Sequence, residues 1–209
     1  MKVAVGLFGV HYIDNLEHWA NWNVCINYKN TFENNKEKLY NKIIPSYYSS
    51  TYYSDKLLNL IDDYKFKSIQ LQHIDNKVEF NRNDNWKKRN KRFKETIKLI
   101  LDDNIIYDYV ILTRYDIQLN DYILELNVDF NKINVVCKAK SGDDYSLIDD
   151  NFYLLPYSEL KGFYDIISKI DETIWGHSYN RFINNFNYLI DGSYYSHEIP
   201  TYQLFKIFK

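Results

Sequence analysis

The segment Tyr107–Leu119, YDYVILTRYDIQL, constrains the fold of this chain more than any other stretch. Its apolar run, Tyr109–Leu112, is short and rich in β-branched and aromatic residues, which is typical of a strand buried inside a sheet. A helical pattern leads directly into it, with Phe93, Ile97 and Ile100 at helical spacing. A helix followed at once by a buried strand predicts an α/β sheet.

The other periodic segments fit one α/β domain over residues 1–209, which is either the whole protein or one module of a longer polypeptide. A chain of this length can bury a sizeable core. Strands are predicted at Lys2–Phe8, Lys67–Ile74, Lys132–Lys138 and Phe152–Leu155, and Ser46–Tyr53 is predicted as a strand edge or a loop. Helices are predicted over Asn15–Trp22, Asn27–Ile44, Ser54–Tyr64, Ser158–Ile170 and Trp175–Phe186.

The composition argues against some classes of function. The formal net charge is −2, so the chain has no overall positive field that would attract nucleic acid. No stretch approaches the roughly 18 apolar residues that cross a bilayer, so no membrane span is predicted. Cys25 and Cys137 lie far apart and fit no disulfide or metal pattern. Two buried thiols suit a reducing compartment, and a cytoplasmic location is predicted.

A carboxylate follows the central strand at the place where open α/β sheets bind ligands, the carboxyl edge. There the sequence is Arg114-Tyr115-Asp116. A strand that ends in R-x-D can hold a metal–phosphate group at a fixed position. The spacing alone favours a simpler interpretation, in which Arg114 and Asp116 form a surface ion pair.

Further groups with suitable chemistry lie at the ends of predicted elements. Asp149 and Asp150 precede a strand, and His177 and His197 occur late in the chain. Mg²⁺ and Mn²⁺ prefer oxygen ligands, and a second carboxylate can act as general base for an acceptor hydroxyl. Glycosyl transfer from a sugar nucleotide needs such a set, namely a cation, a base and a surface for the nucleoside. Each histidine alone is more simply a surface or structural residue.

The end of the first strand is a candidate edge of a nucleotide pocket. Gly6 and Gly9 allow the backbone to approach another backbone or a ligand closely. Their G-x-x-G spacing is not the G-x-G-x-x-G of dinucleotide-binding folds. His11 and Tyr12 follow, and they either line such a pocket or are ordinary loop residues.

Five segments occur in an order that resembles a known family: VAVGLFG, STYYSDKLLNLIDDY, RNKRF, YDYVILTRYDI and DDNFYLLP. The chain is similar to short glycosyltransferases of the GT-A type, which are found in large DNA viruses and in bacterial surface-polysaccharide clusters. The similarity spans most of the chain, and YDYVILTRYDI is its most specific part. It implies a Rossmann-like, GT-A-like α/β fold with a mixed, mainly parallel sheet flanked by helices on both faces. For a viral protein the predicted location becomes the host cytoplasm.

The resemblance assigns roles around the central strand. In GT-A enzymes a D-x-D motif holds the metal and the donor diphosphate, and the matching segment here has Arg114 in place of the first Asp. Asp116 would bind Mn²⁺ or Mg²⁺, and a late histidine, His177 or His197, would add a metal or phosphate ligand. Arg114 and Tyr115 would contact the phosphate or sugar of the donor.

The resemblance also assigns a donor side and an acceptor side. The end of the first strand, residues 6–12 including Phe8, would form the nucleotide-binding edge. One of Asp149 and Asp150 would be the general base if transfer inverts the anomeric centre. The expected partners are a nucleotide-sugar donor, with a UDP-sugar favoured, and a glycan or glycoprotein acceptor.

Two other classes of function fit parts of the sequence. A non-catalytic carbohydrate-binding or structural protein would use the many aromatic residues to stack on sugars. A metal-dependent nuclease would use Asp116 and Asp149 together with the basic cluster between Lys87 and Arg92, which is more simply a solvated helix face. The net charge of −2 counts against the nuclease.

Overall fold

A computed structural model describes residues 1–18, 22–73, 82–119, 128–141, 144–148, 151–171, 174, 176–184, 186–189, 193–195 and 205–207. Over these residues the protein has a mixed α/β architecture, built on a seven-stranded, mostly parallel sheet and four α-helices. The predicted α/β class is therefore confirmed. In the part of the chain that the structure describes, no helix is both long and apolar enough to cross a membrane.

The elements follow one another along the chain in an order that mixes strands and helices. The strands are β1 (Lys2–Phe8), β2 (Tyr12–His18), β3 (Trp22–Asn27), β4 (Ile44–Tyr52), β5 (Ser68–Gln72), β6 (Tyr109–Arg114), β7 (Ile117–Leu119), β8 (Ile133–Val135), β9 (Lys138–Ser141), β10 (Asp144–Ile148), β11 (Phe152–Pro156), β12 (Phe186–Tyr188), β13 (Ser193–Tyr195) and β14 (Phe205–Ile207). The helices are α1 (Tyr28–Lys38), α2 (Leu57–Tyr64), α3 (Arg82–Asp102) and α4 (Tyr157–Ile167), with 3-10 turns at Tyr40–Lys42 and Gly176–Arg181.

The main sheet has the strand order β12-β8-β11-β6-β1-β4-β5. Neighbouring strands β5, β4, β1 and β6 are parallel, and β11 runs antiparallel to both β6 and β8. Because β8 and β12 are parallel to each other, all strands but β11 point the same way. Three small sheets, β10-β9-β13, β14-β7 and β2-β3, accompany it.

Strand β1 lies inside the main sheet, between β6 and β4, and divides the core in two. Its residues Val3, Val5 and Leu7 belong to a buried cluster with side chains of α1 and α2. Ala4 and Phe8, which alternate with them, belong to a second cluster with side chains of α3 and α4. The period of two along a strand sends successive side chains to opposite faces, so β1 contributes to both halves of the core.

The most regular patterns in the sequence correspond to the elements nearest the centre of the sheet. Strand β1 has the predicted bounds, and β6 extends the predicted run Tyr109–Leu112 by two residues, to Arg114. Helix α3 buries Phe93, Ile97 and Ile100, as their helical spacing predicts.

Two predicted helices are wrong. The segment predicted as a helix over Asn15–Trp22 instead contributes to the antiparallel hairpin of β2 and β3, in the residues that the structure describes there. The segment Trp175–Phe186 contains a short 3-10 helix, and Phe186 begins strand β12. In the first segment a few apolar residues at near-helical spacing were outweighed by strand pairing, which the local pattern does not contain.

Strand β4 corrects another prediction. The segment Ser46–Tyr53 was predicted as an edge or a loop, but most of it lies in β4, between β1 and β5, and Ser49, Ser50 and Thr51 are buried. The helix predicted over Asn27–Ile44 ends earlier than predicted, because α1 ends at Lys38 and Ile44 begins β4.

Tyrosines fill much of this core. The buried ones are Tyr28, Tyr40, Tyr48, Tyr52, Tyr64, Tyr107, Tyr115, Tyr153 and Tyr179. Tyr47 and Tyr64 meet edge to face at 5.0 Å between ring centroids, a favourable geometry for aromatic packing. These rings are used for packing the core and are not displayed on the surface, which weakens the aromatic argument for sugar stacking.

Candidate functional site

The strand order reverses between β1 and β6. From β1 the chain continues to β4 and β5 on one side, and it then crosses back to add β6 on the other side. The last residues of the two strands, Phe8 and Arg114, are partners in the parallel register. In open α/β sheets the crevice outside such a reversal is where ligands bind. We call this place the switch-point site and define it by Gly9, Arg114, Asp116 and Asn151.

Three predicted donor-binding residues lie in β1 or directly after it. Gly6 and Phe8 are buried, and Gly9 faces open space. Gly9 has a φ of +96°, a conformation that favours glycine, and no atom lies within 4 Å of a Cβ placed there. Gly6 instead lies under α3, because a Cβ at Gly6 would come within 2.6 Å of the Leu112 side chain and 2.8 Å of that of Thr96. Phe8 is buried against Phe93, at 4.8 Å between ring centroids. Only Gly9 therefore faces open space.

His11 is a buried link between the loop after β1 and the end of β4. Its Nδ1 lies 2.8 Å from Thr51 Oγ1, and its Nε2 lies 2.7 Å from Ser54 Oγ. Thr51 Oγ1 donates to the carbonyl of Gly9 at 2.8 Å, so it must accept from His11 Nδ1–H. Ser54 Oγ accepts from the Lys56 amide at 3.2 Å and can donate its own proton to Nε2. The network thus selects the neutral tautomer with the proton on Nδ1.

Burial has the expected effect on this imidazole. Desolvation lowers the pKa of His11 to about 4, although the negative charge of Asp55 raises it in part. A neutral, 1% exposed ring with both nitrogens engaged by hydroxyls supports the backbone around Gly9. Its assignment to donor binding stays a prediction.

The two predicted donor tyrosines differ in their surroundings. Tyr115 is buried, its hydroxyl contacts the hydroxyl of Ser49, and its ring packs edge-on against His11 at 5.9 Å. Desolvation raises the pKa of Tyr115, so the phenol is protonated at neutral pH. Tyr12 is half-buried, and the Lys56 ammonium lies 5.7 Å from its ring centroid. Tyr115 thus supports His11 from within the core, whereas Tyr12 contacts Lys56.

Arg114 and Asp116 form a two-point ion pair. Arg114 Nε donates to Asp116 Oδ1 at 2.8 Å, and Arg114 Nη2 donates to Asp116 Oδ2. A third bond runs from Arg114 Nη1 to Asn151 Oδ1 at 3.0 Å. The Asp116 side chain is 6% exposed and the Arg114 side chain 29% exposed. The simpler interpretation of R-x-D, an ion pair, is thus present, but its carboxylate is buried.

The turn that carries Asp116 is fastened to helix α1. Thr31 Oγ1 lies 2.5 Å from the Tyr115 carbonyl. Asn35 donates from Nδ2 to the Ile117 carbonyl at 2.9 Å and accepts the Leu119 amide at 2.7 Å, which imitates a neighbouring strand. Both side chains are buried, so the path of the chain after β6 is fixed by contacts and not by local sequence.

This arrangement bears on the predicted divalent cation. Both oxygens of Asp116 accept from the guanidinium of Arg114, and the donor set therefore does not fit a metal in this geometry. A cation at Asp116 would also be repelled by the Arg114 guanidinium. At an effective dielectric constant of about 20, two unit charges about 4 Å apart interact by about 4 kcal/mol, and for a divalent ion the repulsion is twice as large. The described residues also contain no group of three His, Cys, Asp or Glu side chains that could hold a metal. Mn²⁺ or Mg²⁺ binding stays a prediction.

Four predicted site residues are not placed by the structure. Asp149, Asp150 and His197 lie outside the described residues, and His177 belongs to the 3-10 turn Gly176–Arg181, but its side chain is not described. The next residue after the acidic pair is informative, because Asn151 contacts Arg114. Asp149 and Asp150 directly precede this asparagine in the sequence.

The basic cluster on α3 divides between solvent and core. Lys87 and Lys91 are exposed, as a solvated face predicts, but Arg92 is fully buried. Arg92 Nη1 lies 3.0 Å from Glu95 Oε2, and its guanidinium lies 5.6 Å from the ring centroid of Tyr52. Glu95 in turn accepts from Ser50 Oγ at 2.7 Å. This arginine joins α3 to β4.

Sequence reasoning missed several residues that shape the site. Asn151, Thr51 and Asn35 contribute through side-chain hydrogen bonds to partners that lie tens of residues away in the chain. Only Asn151 had a local signal, since it directly follows the acidic pair before β11. Neither the models of known protein families nor the curated proteins give a match to this sequence.

Proposed function

We propose that the protein is a glycosyltransferase that moves a sugar from a nucleotide-sugar donor, with a UDP-sugar favoured, to a glycan or glycoprotein acceptor. The observation that carries this proposal is the switch-point site, where β1 and β6 end side by side and Arg114 lies at the rim. Ligands bind at such reversals of strand order, and a guanidinium suits a diphosphate. The resemblance to GT-A glycosyltransferases narrows the ligand to a sugar nucleotide.

A GT-A-like arrangement with helices on both faces of the sheet belongs to the same proposal. It is supported by the two buried clusters at β1, since Val3, Val5 and Leu7 meet α1 and α2, whereas Ala4 and Phe8 meet α3 and α4. A strand buried on both faces is typical of doubly wound α/β sheets.

In the proposed reaction, Asp149 or Asp150 removes the proton from an acceptor hydroxyl, whose oxygen attacks the anomeric carbon of the donor sugar. The bond from that carbon to the diphosphate oxygen breaks, and the nucleotide leaves with the electron pair. The support for this role is the contact between Asn151 and Arg114, 3.0 Å from Oδ1 to Nη1, next to the acidic pair in the chain. In the sequence, the acidic pair thus directly precedes a residue that contacts Arg114, the proposed ligand of the donor diphosphate.

A binding experiment tests the proposal. Calorimetric titrations with UDP, UDP-sugars and GDP-sugars, each with EDTA and with Mn²⁺, should give saturable binding of at least one nucleotide. A protein that binds none of them in either buffer is not a nucleotide-sugar transferase. Release of free nucleotide from the sugar nucleotide that binds would then show turnover.

The general base is tested by amide variants. One of Asp149→Asn and Asp150→Asn should lower kcat by about 10²- to 10⁴-fold, because an amide cannot accept the acceptor's proton. The Kd for the donor should stay within about twofold, and donor titration of each variant provides that control. Normal turnover by both variants would show that neither carboxylate is the base.

A further inference from the structure

The two side chains of the Arg114–Asp116 pair differ in their exposure to solvent. The Asp116 carboxylate is 6% exposed and lies on the inner side of the pair, whereas the Arg114 side chain is 29% exposed. The pair is neutral as a whole, but an approaching ligand meets its cationic end. An anion is therefore favoured at the rim over a cation.

The guanidinium is also held in a fixed orientation. Asp116 engages Nε and Nη2, and Asn151 engages Nη1, which together use three of the five N–H groups of an arginine. The other two N–H groups belong to the two terminal nitrogens, whose planar fork matches the spacing of phosphate oxygens. A side chain fixed before binding loses little conformational entropy when the ligand arrives.

Gly9 provides room for that ligand. It directly follows Phe8, the register partner of Arg114, so the glycine lies beside the guanidinium-bearing end of β6. Open space in front of its α-carbon lets a bulky anion approach the backbone.

We infer that Arg114, held by Asp116 and Asn151, binds the diphosphate of the nucleotide in place of a divalent cation, so that nucleotide binding does not depend on metal. Asp116 is then a positioning residue for Arg114 and not a metal ligand. The inference rests on the proposed function, because it names how the same site holds the donor.

The test is calorimetric titration with UDP in EDTA and in excess Mn²⁺. The wild-type protein should bind UDP in both buffers with Kd values within about threefold of each other. The electron paramagnetic resonance signal of Mn²⁺ titrated with protein alone should stay that of the free ion. Binding of UDP only with Mn²⁺ would overturn the inference and leave the proposed function intact, whereas no binding of UDP, UDP-sugars or GDP-sugars in either buffer would overturn both.

Substitutions at Arg114 test whether this residue binds UDP. Arg114→Gln should weaken UDP binding in EDTA by about 10- to 100-fold, the value of a charge-assisted hydrogen bond. The double variant Arg114→Gln with Asp116→Asn leaves no buried charge without a partner, and the same loss is expected from it if the single variant folds poorly. Lys161→Gln, which removes an exposed ion pair with Asp165 on α4, is the matched control and should bind as the wild type does.

Asp116→Asn tests the positioning role. It should weaken UDP binding several-fold in both buffers, because the amide orients the guanidinium less firmly. A loss confined to the Mn²⁺ buffer would identify Asp116 as a metal ligand and overturn the inference.

Discussion

Two arginine–carboxylate pairs lie at the same end of the sheet, and they differ in which partner is buried. In the pair on α3, the Arg92 side chain is fully buried and that of Glu95 is 18% exposed. In the pair after β6, the Asp116 side chain is 6% exposed and that of Arg114 is 29% exposed. The first pair points its cation into the core, and the second points its cation outward.

This difference separates structural support from ligand binding. Arg92 packs over Tyr52, and its partner Glu95 holds Ser50, so the pair attaches α3 to β4. Buried charges of this kind are costly to leave without their partners, which makes the contact specific but not available to a ligand. Arg114 combines a buried carboxylate partner with a partly exposed side chain, the arrangement expected of a residue that binds an anion.

The largest expected effect comes from removing the charge of Glu95. Glu95→Gln keeps the shape of the side chain but leaves the buried Arg92 without its carboxylate, and arginine does not lose its proton. We expect unfolding free energy to fall by about 3–5 kcal/mol in urea titrations at pH 7. The control is Asp165→Asn, on an exposed pair, with an expected change below about 0.5 kcal/mol. Equal losses in the two variants would refute the distinction between the pairs.

The buried imidazole of His11, which supports the backbone around Gly9, is neutral. Unlike a pair of permanent charges, its contribution to the free energy of unfolding should depend on pH. His11 has a pKa of about 4 in the folded protein, against 6.5 when unfolded, chiefly because of desolvation. The unfolded state binds more protons between these values, so the stabilisation is complete above about pH 6.5 and is lost as pH falls towards 4. The pKa shift of His11 corresponds to a pH-dependent contribution on the order of 3 kcal/mol to the free energy of unfolding.

The measurement is the pH dependence of urea unfolding for the wild type and for His11→Asn. The variant should be less stable at pH 7, and the difference between the two proteins should shrink as pH approaches 4. A difference that is constant over this range would mean that His11 is not buried neutral.

Arg114→Gln should lower the free energy of unfolding by less than Glu95→Gln does. At pH 7 it leaves the buried Asp116 carboxylate without its charged partner, at a cost of about 1.5–3 kcal/mol. Urea unfolding at pH 7 checks this, with Glu95→Gln as the reference whose loss should be larger.

Gly6→Ala tests how closely α3 is seated on β1. The added methyl would meet Leu112 and Thr96 at 2.6 and 2.8 Å, so we expect a loss of about 1–3 kcal/mol from overpacking. Gly162→Ala is the control, since no atom lies within 4 Å of its Cβ position in α4, and alanine there should stabilise by about 0.5–1 kcal/mol. If both substitutions raise the midpoint of thermal unfolding, the contact between β1 and α3 is looser than the structure indicates.

Much of the sheet and part of the site could be predicted from local sequence. Strand β1, the core of β6 and the buried face of α3 follow from patterns of period two and 3.6, which depend only on near neighbours. The interior position of β4, between β1 and β5, could not be predicted, since its polar residues Ser49, Ser50 and Thr51 become buried only through pairing with those two strands. The hairpin of β2 and β3 was missed for the same reason.

The sequence by itself determined that an arginine and an aspartate follow the central strand, two residues apart. Only the tertiary structure decided that the aspartate is buried, that the arginine is its partner, and that Asn151 completes the contact from 37 residues away. The physical reason is that spacing along a strand end fixes which groups lie near one another. Burial, and hydrogen bonds between residues far apart in the sequence, fix which of these groups a ligand can reach.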